Sequence, residues 1–208
     1  MKYETLIIAP HCDDEVLGCG GILNNRRNDK TFVYYMGVDI FHVIRKDDRL
    51  KEVEDVSLLL NFDYRIGSNT VNSYKRELII NEITDIINET KPEEIFIPNS
   101  SSNQDHKEVY DACIIALRPH DKNHFVNNVF VYEVDQYLTW MPNNFEPNYF
   151  EPIDISIKIA AYELHKSQNR SMRPPELLKS FSYIRGISSN LDYAESFKII
   201  RMVKNNQY

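Results

Sequence analysis

The chain has 208 residues, enough for one domain with a sizeable core, and its 42% hydrophobic and 26% charged residues are ordinary for a globular protein. A formal net charge of −7 argues against non-specific nucleic-acid binding, and no apolar run of about 18 residues marks a membrane span. Cys12, Cys19 and Cys113 are too few and too scattered for a disulfide framework, and Met1-Lys2-Tyr3-Glu4 lacks a signal peptide's apolar core, so a reducing cytoplasm is the expected compartment.

Strand and helix patterns alternate through the first two-thirds. Tyr3 to Ala9 predicts a buried strand, and Glu15 to Asn28 a helix carrying Val16, Leu17, Ile22 and Leu23. Gly18, Gly20 and Gly21 weaken that helix but permit close approach of its backbone to a sheet. Thr31 to Val38, rich in aromatic and β-branched residues, predicts a second strand, followed by a loop through Asp39 to Lys46. Asp47-Asp48 open a helix to about Leu60, their acids suited to its N-terminal dipole. Phe62 to Arg65 reads as a short strand, Ser73 to Thr90 as a helix stopped by Lys91-Pro92, and Glu94 to Pro98 as a third clear strand. A helix runs to about Leu117, Asn128 to Val134 is another strand, and Asp135 to Tyr149 is a loop. Asp154 to Ser167 and Pro174 to Ile184 read as helices. With no repeat or linker, residues 1–208 are expected to form a single α/β domain, a three-layer arrangement with a mostly parallel sheet and helices on both faces.

Two polar clusters follow strands. His11-Cys12-Asp13-Asp14-Glu15 ends the first, and Asn103-Gln104-Asp105-His106 follows the strand at Glu94. Adjacent acids repel one another unless a cation, a partner or solvent compensates, and His and Asp are good ligands of divalent metals. Strand ends of one parallel sheet open on the same edge, where such sheets bind ligands, so His11, Asp14 and His106 can meet although nearly a hundred residues separate them. Two imidazoles and a carboxylate form a common catalytic zinc set, and Asp13 beside them is available as general base. An N/O donor set also accepts other divalent ions. The bland alternative for the first cluster is an acidic turn capping a helix, and for His106 a histidine at a helix start.

At these residues the chain resembles the LmbE/PIG-L-like family of zinc-dependent N-deacetylases. The family motif H-P-D-D-E with a glycine-rich continuation is matched by His11 to Gly21, and its H-x-D-H by Asn103 to His106. Arg49-Leu50-Lys51-Glu52 resembles the family's R-x-x-E, and Tyr132-Glu133 a late Tyr-Glu. Lys166-Ser167-Gln168, Arg185-Gly186 and Tyr193 to Phe197 resemble C-terminal signatures. The resemblance implies a Rossmann-like (LmbE-like) fold and zinc held by His11, Asp14 and His106. It implies Asp13 as general base and Arg49 as a substrate contact. The implied substrate is an N-acetylated sugar or sugar conjugate, cleaved to acetate and a free amine. A nucleotide- or lipid-linked sugar would let Arg49 or Arg118 meet a phosphate. Self-association is left open.

Two positions depart from the pattern. Cys12 replaces the usual proline and is either an additional ligand, an oxidation target or a plain small side chain. Asn103 replaces the first histidine of the second motif, which in the family is thought to steady the oxyanion or protonate the departing amine. Asn can donate a hydrogen bond but cannot titrate, so a slower enzyme is expected, with that role shared by Asn103, zinc and Asp13, or taken by His120 or His124. Asp105 is expected to orient a ligand imidazole or cap its helix, and Glu15 to bond backbone near the site. Arg49 has a solvated salt bridge as its alternative, and Arg185 and Glu195 can pair with each other. His165 reads as a surface or boundary residue, and Trp140 as a platform for a sugar ring, a lid or a subunit contact. Competing functions are a non-catalytic zinc- or sugar-binding homologue and a hydrolase of another acyl group such as formyl. A dinucleotide site is disfavoured, since Gly18-Cys19-Gly20-Gly21 does not fit G-x-G-x-x-G.

Overall fold

The computed structural model describes residues 2–38, 46–134, 145–171 and 173–204. Strands β1 (Thr5–Ala9), β2 (Thr31–Gly37), β3 (Asp63–Asn69), β4 (Glu94–Pro98), β5 (Asn128–Tyr132), β6 (Tyr149–Pro152) and β7 (Ala194–Met202) form one seven-stranded sheet in the order β3-β2-β1-β4-β5-β7-β6. The first five strands pair in parallel, and β7 lies antiparallel to both β5 and β6. Helices α3 (Arg76–Thr90) and α4 (Gln104–Ala116) cover one face, with Ile79, Ile83, Val109 and Cys113 packed on Leu6, Ile8, Ile95 and Val129. On the other face lie α1 (Asp14–Asn25), α2 (Lys46–Leu60), α5 (Ile155–Leu164) and α6 (Pro175–Ile187), which pack on Ile7, Val33, Phe96, Phe130 and Phe197. Alternate residues of a strand point to opposite faces, so β1 feeds both cores and reads as an unbroken apolar run. Among the described residues no helix is long and apolar enough to cross a membrane.

Sequence patterning locates the parallel half of the sheet but not β6 and β7. Residues 194–197 are buried while the rest of β7 alternates between exposed and half-buried, so no single period runs through it. α5 ends at Leu164, three residues before Ser167, and the chain from His165 onward forms hydrogen-bonded turns.

The glycines of α1 do admit close approach. A Cβ on Gly18 would lie 2.1 Å from the Tyr132 ring, and one on Gly21 would lie 2.2 Å from Ile153. α1 kinks at Cys19 (φ −137°), which frees backbone groups on both sides of the kink. The Glu195 carboxylate accepts from the N–H groups of Gly21 (2.8 Å) and Ile22 (2.9 Å), and Lys158 Nζ donates to Leu17 O (2.8 Å). Lys158 and Glu195 also pair at 2.8 Å, so one buried ion pair satisfies both ends of the break. Glu195 is thus not the partner of Arg185, which holds Glu133 through two bonds of 2.6 and 2.8 Å.

Candidate metal centre and its cavity

β1 and β4 are neighbours at the point where the strand order reverses. The loops leaving their C-terminal ends therefore flank one crevice. Two tyrosines shape the first loop. Tyr132 donates to Ile8 O at 2.8 Å and Tyr74 to Pro10 O at 2.6 Å, occupying carbonyls beyond the end of the β1–β4 ladder. The chain then delivers His11, and α1 starts at Asp14. On the other side, Asn103 caps α4 with Oδ1, accepting from Asp105 N (2.8 Å) and His106 N (3.4 Å). That cap places Asp105 and His106 in the first turn, both buried.

The two clusters meet. One donor atom from each of His11, Asp14 and His106 lies within 4.8 Å of the others. Asp14 Oδ2 is the common point, 3.1 Å from His106 Nε2, 3.3 Å from His11 Nδ1, and accepting from the His11 backbone N–H at 2.9 Å. The other ring nitrogen of His11, Nε2, lies 3.0 Å from Asp105 Oδ2. Asp105 Oδ2 also accepts from the backbone N–H of Asn72 at 2.6 Å, which a left-handed backbone (φ 66°) turns toward it. Asp105 therefore fixes the His11 ring and leaves Nδ1 facing Asp14.

Electrostatics point the same way. Burial opposes a charge on His11, yet its bonds to Asp105 and Asp14 push its pKa up to about 10. Burial likewise opposes the Asp14 anion, and His106 and His11 hold its carboxyl far below the usual carboxylate range. A divalent cation held there would supply the positive charge that protons otherwise bring. Two imidazole nitrogens and one carboxylate oxygen converge, with a further carboxylate ordering one ring, so the residues fit a transition-metal ion.

The cluster opens into a polar cavity of about 230 Å3. His11, Asp13, Asp14, Arg49 and Asn103 all line it. Asp105 and His106 sit buried behind it. Arg49 is buried, donates to Ser167 Oγ at 2.6 Å and lies 3.7 Å from Glu52, whose oxygens accept from Ser167 N and Oγ. The R-x-x-E pair and the Lys166-Ser167-Gln168 segment thus form one contact. Glu15 does not bond backbone as expected. Its Oε1 lies 2.7 Å from His165 Nε2, and His165 is fully buried rather than at the surface. Cys12 is no part of the cluster. Its Sγ faces Gly37 O at 3.7 Å, and burial raises its pKa well above that of a free thiol. His124 bonds Pro92 O at the opposite end of β4, and exposed Arg118 bonds Ile115 O, so neither reaches the cavity. Trp140 lies outside the described residues.

Sequence reasoning missed Arg170, Arg173, Gln168 and Asn72 as cavity residues. Arg173 Nη1 donates to Asp13 Oδ2 at 2.7 Å, both side chains being nearly buried. Arginines within Asn169-Arg170-Ser171-Met172-Arg173-Pro174-Pro175 carry no local signal of burial.

A family model described as PIG-L: GlcNAc-PI de-N-acetylase matches residues 6–117. The chain belongs to the PIG-L family. Both polar clusters fall inside the matched PIG-L segment. No curated protein sequence matches the chain. Among solved structures, the conserved protein TT1542 from Thermus thermophilus is similar at a TM-score of 0.80 and 22% identity, over 99% of this chain and 98% of that one. The N,N'-diacetylchitobiose deacetylase from Pyrococcus horikoshii follows at 0.79 and 20%, over 95% and 84%. GalB, the 4-carboxy-2-hydroxymuconate hydratase from Pseudomonas putida KT2440, gives 0.77 and 18% over all of both chains. These likenesses are of the α/β fold shared with PIG-L proteins, and the set spans two kinds of reaction.

Proposed function

We propose that this chain, acting as one domain, is a zinc-dependent hydrolase that removes the acetyl group from an N-acetylated sugar or sugar conjugate. The observation that carries the reading is the convergence of His11, Asp14 and His106 beside Asp13 in one cavity. The family description and the chitobiose deacetylase both name removal of an acetyl group from an acetamido sugar. A small cavity suits a single sugar ring, and three buried free thiols suit a reducing cytoplasm.

His11, Asp14 and His106 would hold the ion, with Asp105 steadying His11. When bound, the ion supplies Lewis acidity, lowering the pKa of water toward about 7 and polarising the acyl oxygen. Asp13 Oδ2 is held by Arg173, which leaves Oδ1 to take the proton of the attacking water. Asp13 then passes that proton to the departing amine as the carbon–nitrogen bond breaks, giving acetate and a free amine. Asn103 Oδ1 is committed to the α4 cap, so its amide N–H groups are the ones left to donate to the acyl oxygen. Arg49 contacts the sugar. Asn103 in place of a titratable residue favours a second reading, a binding protein that keeps the metal.

The test is to load the full chain with zinc, measure bound metal, and assay acetate release from a panel of acetamido sugars with wild type and Asp13→Asn. Bound zinc with acetate released only by the wild type is expected. Bound zinc with no acyl release from any member favours the binding protein. Release of formate from formamido analogues alone reassigns the acyl group.

A further inference from the structure

Tyr162 does not line the metal cavity, yet it fastens a residue that does. It lies in the last turn of α5, fully buried, with its ring in the core on the α1 side of the sheet. Its hydroxyl oxygen stands 2.9 Å from Gln168 O and 2.8 Å from Arg173 O. A hydroxyl carries one proton, so the two carbonyls share a single donor. Both belong to residues of the cavity wall. At Gln168 the bond is one of several. Gln168 N donates to His165 O at 2.8 Å, and the neighbouring Ser167 is held through its N–H and its hydroxyl by Glu52. Arg173 is fastened less. Its N–H goes to Arg170 O within the same turn, and Pro174 and Pro175 follow with no N–H to offer. α6 starts there without a side-chain cap. Among the described residues, the Tyr162 hydroxyl is the one hydrogen-bond partner of the Arg173 backbone outside its own turn.

The Arg173 side chain reaches from that backbone to Asp13 Oδ2 at 2.7 Å, so a shift of the backbone carries the guanidinium with it. Misplacing a catalytic group by about 1 Å costs up to about 100-fold in rate. We propose that Tyr162 is a positioning residue of the hydrolysis. By holding the Arg173 carbonyl it sets where the guanidinium meets Asp13, and so which way the free Oδ1 of the base points. Tyr162 acts through Arg173 and touches no reacting atom. The proposal rests on the deacetylase reading for the role of Asp13 and adds a hydroxyl, 11 residues from Arg173 along the chain, on which the aim of that base depends.

Tyr162→Phe keeps the ring in the core and removes the proton. On the zinc-loaded chain, kcat for an acetamido sugar should fall about tenfold, with KM and bound zinc within about twofold of wild type. A double-mutant cycle separates positioning from general loosening. In the Arg173→Gln background the same change should cost less than about twofold, because the contact through which Tyr162 acts is already gone. Ile157→Val, a change on the same helix and against the same core, should leave kcat within about twofold in both backgrounds. A loss of about tenfold that persists beside Arg173→Gln, or no loss in Tyr162→Phe alone, overturns the proposal. Replacement of Tyr162 by 4-fluorophenylalanine, which fills the space of the hydroxyl without a proton to donate, repeats the cycle if Tyr162→Phe does not fold. If the wild-type chain turns over no acetamido sugar, the deacetylase reading fails and amide hydrogen exchange decides this one. Exchange of the Arg173 N–H should then be at least about tenfold faster in Tyr162→Phe than in wild type, and unchanged in Ile157→Val. Equal rates in wild type and Tyr162→Phe would overturn the hold of Tyr162 on Arg173.

Discussion

The Arg173 guanidinium donates to Asp13 Oδ2 at 2.7 Å, joining the loop after β1 to the turn before α6 across 160 residues of chain. A carboxylate held by one oxygen presents the other in a fixed direction. Arg173→Gln is expected to lower kcat about 10- to 100-fold with metal content unchanged, and Arg173→Lys to recover part of the loss. Steady-state kinetics beside elemental analysis checks this, and wild-type kcat in Arg173→Gln would refute it.

In the proposed metal centre Asp105 would act on the ion through His11. Asp105→Asn keeps an acceptor for the Asn72 N–H and removes the negative charge beside His11 Nε2. Zinc affinity should fall about 10- to 100-fold, read by competition with a chromogenic chelator. Unchanged affinity would show that Asp105 serves only to anchor Asn72.

Asn103 caps α4 and, in the proposed mechanism, donates to the acyl oxygen, and two substitutions separate the two. Asn103→Ala removes the α4 cap and should cost about 1 kcal/mol of stability. Asn103→Asp keeps an acceptor for Asp105 N and His106 N but has no N–H to donate. It should fold as the wild type and lose about 10- to 100-fold in kcat. If Asn103→Ala turns over as fast as the wild type, the amide takes no part in catalysis.

Arg26 binds Glu94 on β4 and Glu151 on β6, stitching the two halves of the sheet. Burial pushes the Glu151 pKa up, but its bonds to Arg26 and Asn25 prevail and hold it below the ordinary 4.5. A depressed carboxylate stabilises the fold fully above 4.5, and the contribution disappears as pH falls through its lowered value. Arg26→Met leaves two neighbouring anions without their cation and should cost about 2 kcal/mol at pH 7. In urea unfolding the deficit should shrink below pH 4.5 as the carboxylates protonate. A deficit constant from pH 7 to about pH 3 would exclude the ion pair as its cause.

The site was legible wherever its chemistry is local. His11 to Glu15 follow an apolar strand within a few residues, and Asn103 to His106 follow another, so alternation and topology suffice to bring them to one sheet edge. The same short-range patterns mark β1, β2, β4 and α3, whose apolar spacing matches their period. Glu15 and His165 were not legible as partners. Each alone is an ordinary polar residue, and only the packing of α5 on α1 places them 2.7 Å apart out of solvent.

What the sequence determined by itself is the parallel α/β core and the two polar clusters at its edge, because periodicity and adjacent polar side chains are properties of neighbours along the chain. Tertiary structure alone decided that β7 enters the sheet antiparallel between β5 and β6, that Glu195 and Lys158 mend the break in α1, and that Arg170 and Arg173 turn in over the cavity. These contacts join residues far apart in sequence, and a charge in a polar loop shows no preference for solvent or for a buried counter-ion until the chain has closed around it.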